Sequence, residues 1–216
     1  MVVYLREIYY PEGFRFPLKL ISGRIAITEI IREFATLLML TGIGILAGRN
    51  KTEKFAWFIY SFAIWDIFYY IFLKAILNWP PSIFTWDILF LIPVTWVGPV
   101  IAPVINSVTM ILLSLLIFYY SEIINTIRLK PISWVLLIAG SVIVIISYTY
   151  DYSTFILNRI PFAKFFNSEN KDRIIHYMSL FVPSVFNWLI FSAGVICHLL
   201  AILIIFIDLK KIKNAG

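Results

Sequence analysis

Long apolar stretches alternate with short charged stretches along the whole chain. Each apolar stretch approaches the roughly 20 residues that an α-helix needs to cross a bilayer core of about 30 Å. The pattern predicts an all-α integral membrane protein with a single transmembrane domain over residues 1–216. About five spans are expected, near residues 25–48, 55–78, 95–120, 132–150 and 185–207.

The apolar sequence before the third span is too long for one membrane crossing. Residues 88–120 would form a helix of about 50 Å at 1.5 Å per residue, and Pro93 interrupts them. Ser82 or Thr85 could cap a short helix that ends at Pro93. We therefore predict a short interfacial or re-entrant helix there. An interfacial lid is expected from Trp79, Trp86, Asp87 and Trp96, because tryptophan favours the headgroup layer.

Residues 151–184 carry aromatic clusters next to Arg159 and Lys164. Apolar and basic side chains in close alternation are typical of helices that lie in the membrane interface. The sequence predicts a surface amphipathic segment here rather than a sixth span.

Composition excludes the soluble classes of protein. The chain is 61% hydrophobic and 14% charged, whereas soluble domains are about 45–50% apolar and about 25% charged. The net charge of +6 comes from Lys and Arg that flank the spans, so we predict no nucleic-acid partner. The one cysteine, Cys197, excludes an internal disulfide and a multi-cysteine metal site. No phosphate-binding loop, zinc-protease motif or nucleophile elbow is present, so no catalytic residue, metal or cofactor is predicted.

The flanking Lys and Arg residues are divided equally, with eight on each side of the predicted membrane. The set that includes Arg49, Lys130 and Lys213 is concentrated in short flanks, where the positive-inside signal is strongest, and it has fewer acidic neighbours. We expect the C-terminus to be cytoplasmic and the N-terminus to lie outside.

Charged and polar side chains within the first two spans predict an intramembrane polar ladder. Asp66 lies 12 residues beyond Lys54, which is about 18 Å along a helix and beyond the reach of its side chain to water. If the two spans form an antiparallel hairpin, residues at equal depth can pair. The predicted pairs are Glu29 with Lys74, Arg32 with Asp66, and Glu33 with Tyr70.

Later spans place further polar side chains at comparable depth, and with Asp66 they predict a midplane polar layer of Asn106, Ser141 and His198. Three interpretations of these polar residues remain open: structural hydrogen bonding between helices, a proton or ion path, and a ligand pocket. For His198, an interhelical hydrogen bond, a proton relay and a haem or metal ligand are the alternatives.

Several motifs stand close together between Glu29 and Pro103. They are E-x-x-R-E at Glu29–Glu33, LAGR at Leu46–Arg49, WDIFYY-x-x-LK from Trp65, and WPPS-x-x-TWD-x-LFLIP-x-x-W-x-GP from Trp79. This set resembles a family of bacterial polytopic integral-membrane proteins that has no assigned activity. The resemblance implies a multi-pass protein of the bacterial cytoplasmic (inner) membrane and carries over no catalytic residue.

Three functions are compatible with these observations. The first is a non-catalytic protein that is an accessory subunit of a membrane assembly or binds a lipid or other lipophilic ligand; its partners would be the bilayer and other membrane subunits. The second is a small proton- or ion-coupled carrier that uses Asp66, Lys74 and Glu29. The third is an intramembrane enzyme acting on a lipid or quinone with Asp87, Glu122 or His176 near the interface.

Overall fold

The computed structural model describes residues 16–17, 23–124, 127–161 and 176–215, and these contain five long helices and two short strands. In chain order they are α1 (Gly23–Ala47), α2 (Lys51–Leu77), β1 (Trp86–Phe90), β2 (Trp96–Pro99), α3 (Ile101–Ser121), α4 (Pro131–Leu157) and α5 (Trp188–Ala215). All five helices are long and apolar enough to cross a membrane. The predicted class, a helical membrane protein with five spans, is confirmed.

The ends of α2 follow from the two asparagines that flank it. The side chain of Asn50 accepts hydrogen bonds from the backbone N–H groups of Thr52 and Glu53, both at 3.1 Å, and so satisfies donors that have no partner in the first turn. Asn78 adopts a left-handed conformation with φ of 51°, which asparagine tolerates better than most residues and which ends the helix.

Small residues allow two pairs of neighbouring helices to approach closely. A Cβ atom added at Gly44 of α1 would lie 2.6 Å from the carbonyl oxygen of Lys54 in α2. A Cβ atom at Gly140 of α4 would lie 2.9 Å from the carbonyl oxygen of Gly194 in α5. The G-x-x-x-G motif at Gly44 and Gly48 therefore packs α1 on α2 within the chain.

Ion pairs join the helix ends at the side of the protein that carries the C-terminus. Arg49, between α1 and α2, pairs with Glu53 at 3.1 Å and with Glu122 after α3 at 2.9 Å. Lys130, before α4, pairs with Asp208 of α5 at 2.7 Å. These contacts hold the loops of this side together.

The prediction of a short helix before the third span is wrong. Residues 82–85 form a turn, and β1 then pairs with β2 in an antiparallel hairpin whose register matches Trp86 with Pro99 and Ile88 with Val97. A helix of about eight residues would leave most of its backbone groups without partners at its two ends. Strand pairing satisfies them within a segment that is rich in β-branched and aromatic residues. Because β2 uses residues 96–99, α3 begins at Ile101 rather than near residue 95.

The start of the predicted surface segment belongs to the fourth span instead. Helix α4 continues to Leu157, so residues 151–157 form its last two turns. Residues 162–175 lie outside the described residues, and the amphipathic surface helix stays a prediction there. Further on, Phe181 is fully buried against Tyr152 and Phe155, so residues 176–184 pack back onto the end of α4.

Candidate functional site

A cavity of about 410 Å³ lies among the spans, with the hairpin of β1 and β2 forming part of its wall. Its size falls within the range of about 300–1,000 Å³ that is usual for small-molecule sites. Most of its wall is apolar or aromatic, and α2 contributes the largest aromatic face with Phe62, Trp65 and Tyr69. The wall therefore suits a lipophilic molecule.

The cavity occupies a gap in the helix packing. Within the described part of the chain, α1 packs on α2, α2 on α3, α3 on α5 and α4 on α5, but neither α1 nor α2 packs extensively along α4. Helices α2 and α4 do meet near one end, where the rings of Phe55 and Trp134 lie 4.9 Å apart. Ser141, in the middle of α4, lines the cavity and is exposed. The gap thus lies between α2 and α4 at the level of Ser141.

The four residues of the predicted midplane layer all line this cavity. Ser107 donates a hydrogen bond from its hydroxyl to Asp66 Oδ2 at 2.8 Å, which joins α2 to α3. Ser141 Oγ lies 3.3 Å from His198 Nε2 and also donates to the carbonyl of Leu137 at 2.9 Å. The histidine ring can lie against α4 because Gly140 has no side chain; a Cβ atom there would come within 2.5 Å of His198 Cδ2.

The pairings predicted for the polar ladder are not the ones that form. Arg32 pairs with Glu29 on its own helix at 2.8 Å, and Glu33 accepts a hydrogen bond from the backbone N–H of Leu91 at 3.0 Å. Lys74 donates to the carbonyl of Pro80 at 3.0 Å. The physical reason is the order of the helices, because Asp66 turns toward α3 and not toward α1.

Tyr70 connects the second span with the hairpin. Its hydroxyl donates to Asp87 Oδ2 at 3.0 Å, and both side chains are buried. The predicted ladder and the predicted lid therefore meet at this contact, although the lid is a pair of strands.

Most of the residues that the sequence singled out lie on the wall of the cavity. Those that line it are Arg32, Glu33, Asp66, Tyr70, Asp87, Trp96, Asn106, Ser141 and His198. Glu29, Lys74, Trp79 and Trp86 do not line it. Trp79 packs in a cluster with Tyr70 and Val100, and Trp86 lies against Phe186 with ring centroids 6.2 Å apart.

Three polar atoms of the wall residues are buried without a hydrogen-bond partner among the described residues. They are Trp96 Nε1, Asn106 Oδ1 and the hydroxyl of Tyr148. Such groups are rare in folded proteins, because an unsatisfied buried polar group costs about 1–3 kcal/mol. Tyr148 is only 4% exposed and stacks on Trp96, with ring centroids 6.0 Å apart. These three groups belong to residues that also contribute to the wall of the cavity.

Sequence reasoning did not single out Ser107, Tyr148 or the aromatic face of α2. A signal for that face exists, because Phe62, Trp65 and Tyr69 follow one another at spacings of three and four residues and so share one side of a helix. The hydroxyl of Tyr148, eleven residues after Leu137 in a strongly apolar span, was a second signal.

The residues that the structure describes also bear on the metal and enzyme hypotheses. No group of three His, Cys, Asp or Glu side chains in this part of the chain could hold a metal ion. The three residues considered for an interfacial enzyme are not brought together. Asp87 lines the cavity, whereas Glu122 pairs with Arg49 at the far end of α3 and His176 is exposed.

Comparison of the chain with protein-family models, with curated proteins and with solved structures finds no match. The resemblance to a bacterial membrane family stays a prediction.

Proposed function

We propose that this multi-pass membrane protein binds a lipophilic small molecule in its central cavity, without chemical conversion of that molecule. The observation that carries the proposal is a cavity of about 410 Å³ among the spans whose mostly apolar and aromatic wall also includes a few polar side chains. Hydrogen-bonding groups of the ligand would pair with polar residues of the wall such as Asp66, Ser141 and His198. Its apolar body would occupy the remaining volume.

The gap between α2 and α4 supports a route of entry from the bilayer. Ser141 is exposed in the middle of α4, and the neighbouring Ile145 also belongs to the wall. A lipophilic molecule dissolved among the lipid tails would reach the cavity sideways, without crossing the interface. The hairpin would cover the end of the cavity, because two hydrogen bonds fix it to the spans. Tyr70 donates to Asp87, and Glu33 accepts from the backbone N–H of Leu91.

The proposal is tested by identifying what co-purifies with the protein. We suggest purifying the wild type, Ser141→Trp and Val142→Trp in a mild detergent and analysing organic extracts by liquid chromatography and mass spectrometry. The first variant fills the cavity, whereas Val142, its neighbour on α4, is 49% exposed and does not line the cavity.

We expect one lipophilic compound in near-equal molar amount with the wild type and with Val142→Trp, and its loss from Ser141→Trp. Identical extracts from all three proteins, or none of the compound in the wild-type extract, would contradict the proposal.

A second candidate function is proton-coupled transport of the bound molecule. The observation that favours it is the presence of Asp66 and His198 on the wall of one cavity within the spans. Proton flux into proteoliposomes should then fall to background in Asp66→Asn. Flux that is the same in the wild type and in this variant would remove the candidate.

A further inference from the structure

The carboxylate of Asp66 lines the cavity without a cationic side chain of the described residues to pair with it. Its Oδ2 atom accepts the Ser107 hydroxyl at 2.8 Å, and no Lys, Arg or His of the described residues forms an ion pair with it. A carboxylate within a transmembrane helix is costly unless a cation, a proton or water accompanies it.

The basic groups that could neutralise Asp66 are engaged elsewhere. Arg32, which also lines the cavity, holds Glu29 through two contacts of 2.8 and 2.9 Å. Lys74, two turns further along α2, donates to the carbonyls of Pro80 and Asn78. His198 lies against Ser141 on the opposite wall. Arg32, Lys74 and His198 therefore do not supply a cation that pairs with Asp66.

A second polar residue of the wall lies next to Ser107, the partner of Asp66. Asn106 precedes Ser107 on α3, and its amide nitrogen lies 3.8 Å from Met110 Sδ, while its Oδ1 atom is buried without a partner. A protonated amine carries N–H donors that need more than one acceptor when water is excluded. A carboxylate accepts through both of its oxygens, and Oδ1 of Asp66 accepts no hydrogen bond among the described residues.

Aromatic rings surround the same part of the cavity. Trp65 and Tyr69 flank Asp66 on α2, and their rings stack with centroids 6.2 Å apart. Cations are attracted to the faces of tryptophan and tyrosine, and the attraction grows when the site is desolvated. An anionic ligand would be repelled by an ionised Asp66, whereas a protonated amine would supply the cation that this carboxylate lacks among the described side chains.

We propose that the ligand of the cavity is a lipophilic amine whose protonated nitrogen pairs with the carboxylate of Asp66. The inference rests on the proposed function, since it names the chemical class of the molecule that the cavity binds. Its hydrocarbon or aromatic body would lie between α2 and α4 against Trp65 and Ile145, which belong to the wall.

The test compares two probes of similar shape and different charge. We suggest fluorescence titrations of 9-aminoacridine, a cation at neutral pH, and of anthracene, its uncharged three-ring analogue. The protein is the full chain in nanodiscs of a zwitterionic lipid, with empty nanodiscs as the blank. The variants are Asp66→Asn, Asp66→Glu, Ser141→Trp and, as a matched control outside the cavity, Asp151→Asn.

We expect Asp66→Asn to weaken the binding of the amine at least about tenfold, the effect of removing one member of a buried charge pair. Asp66→Glu should keep the preference for the amine over anthracene, and Asp151→Asn should bind both probes like the wild type. Ser141→Trp should abolish the binding of both. Thermal unfolding of Asp66→Asn near the wild-type temperature verifies that this variant folds.

The outcomes separate this inference from the proposed function. Equal affinity of the wild type for both probes, or unchanged amine binding in Asp66→Asn, overturns the amine assignment. If Ser141→Trp still abolishes binding in that case, the proposed function stands. If neither probe binds the wild type and no compound co-purifies with it, both are overturned.

Discussion

Individual buried polar side chains determine how the second span connects to the rest of the protein. Asp66 accepts a hydrogen bond from Ser107 of α3, and four residues later Tyr70 donates a hydrogen bond to Asp87 of the hairpin. Both contacts lie on one stripe of α2, because residues four apart share a helix face. Hydrogen bonds of this kind are costly to break when the remaining partner stays buried.

The contact between Tyr70 and Asp87 gives a direct test at this scale. Tyr70→Phe removes only the hydroxyl and leaves the buried carboxylate with one donor fewer, so we expect a loss of about 1.5–3 kcal/mol in unfolding free energy. Unfolding in mixed micelles by increasing the fraction of sodium dodecyl sulfate measures this change. Tyr150→Phe, at a residue that is 49% exposed, should stay within about 0.5 kcal/mol of the wild type. Equal effects of the two substitutions would show that the contact contributes nothing.

The sequence predicted that four polar residues lie at a similar depth, and they line one cavity, but their hydrogen-bond partners could not be predicted. Counting 1.5 Å per residue placed Asp66 about 18 Å from Lys54 and placed Asn106, Ser141 and His198 at comparable depth, and these four residues share one cavity. Depth is a single coordinate. The rotation of each helix and the order of the helices decide whether Asp66 meets Arg32 or Ser107, and a single sequence contains neither.

At the scale of elements, close contacts between helices α4 and α5 shape the wall that carries His198. Gly140 and Gly194 bring these two backbones together, and the ring of His198 occupies the space beside Gly140. Helix α1, by contrast, has open space at Gly42, where an added Cβ atom would meet nothing within 4 Å.

Gly140 and Gly42 form a matched pair of sites for substitution, one in close contact with a neighbouring helix and one in open space. Gly140→Ala forces a methyl group against His198 and the backbone of Gly194, and we expect a loss of about 1–3 kcal/mol in unfolding free energy. Gly42→Ala removes the conformational cost of glycine in an open helix position, and we expect no loss and a gain of up to about 1 kcal/mol. The same unfolding titration measures both. If Gly140→Ala were as stable as Gly42→Ala, the close packing of α4 on α5 would be refuted.

The hairpin is the element that helix-based reasoning missed. An apolar run with three prolines indicates a break in a helix, but it does not distinguish a short helix from two short strands. The distinction depends on pairing of β1 with β2 and on the support of β2 by α3 and α4. These contacts form only when the spans come together, so local sequence does not reveal them.

Attachment of the hairpin to α1 can be measured by hydrogen exchange. The backbone N–H of Leu91 donates to the carboxylate of Glu33, and Glu33→Ala removes that acceptor. We expect the peptide that contains Leu91 to exchange at least about tenfold faster in this variant, as local opening becomes easier. Glu122→Ala, which breaks the pair with Arg49 at the other side of the protein, should leave this peptide unchanged. Unaltered exchange in Glu33→Ala would contradict the attachment.

At the scale of the whole molecule, the five spans define two sides with different chemistry. One side carries the hairpin and residues 176–187. The other carries the ion pairs of Arg49 and Lys130 together with the C-terminal end of α5. Lys and Arg in short loops favour the cytoplasmic side, so we propose that the second side faces the cytoplasm.

Labelling with a membrane-impermeant maleimide tests this orientation. In a Cys197→Ala background, a cysteine at Ser82 should react in intact cells. A cysteine at Lys51 should react only after the cells are permeabilised. The reverse pattern of reactivity would contradict the proposed orientation.

The proposed function requires that the space between α2 and α4 holds a lipophilic molecule. The most direct measurement is an electron cryomicroscopy map of the protein in nanodiscs, with a bound antibody fragment to aid alignment. We predict elongated non-protein density bordered by Asp66, Ser141 and Tyr148, the residues that line the cavity. A map in which α2 and α4 close on each other and side chains fill this space would contradict the claim.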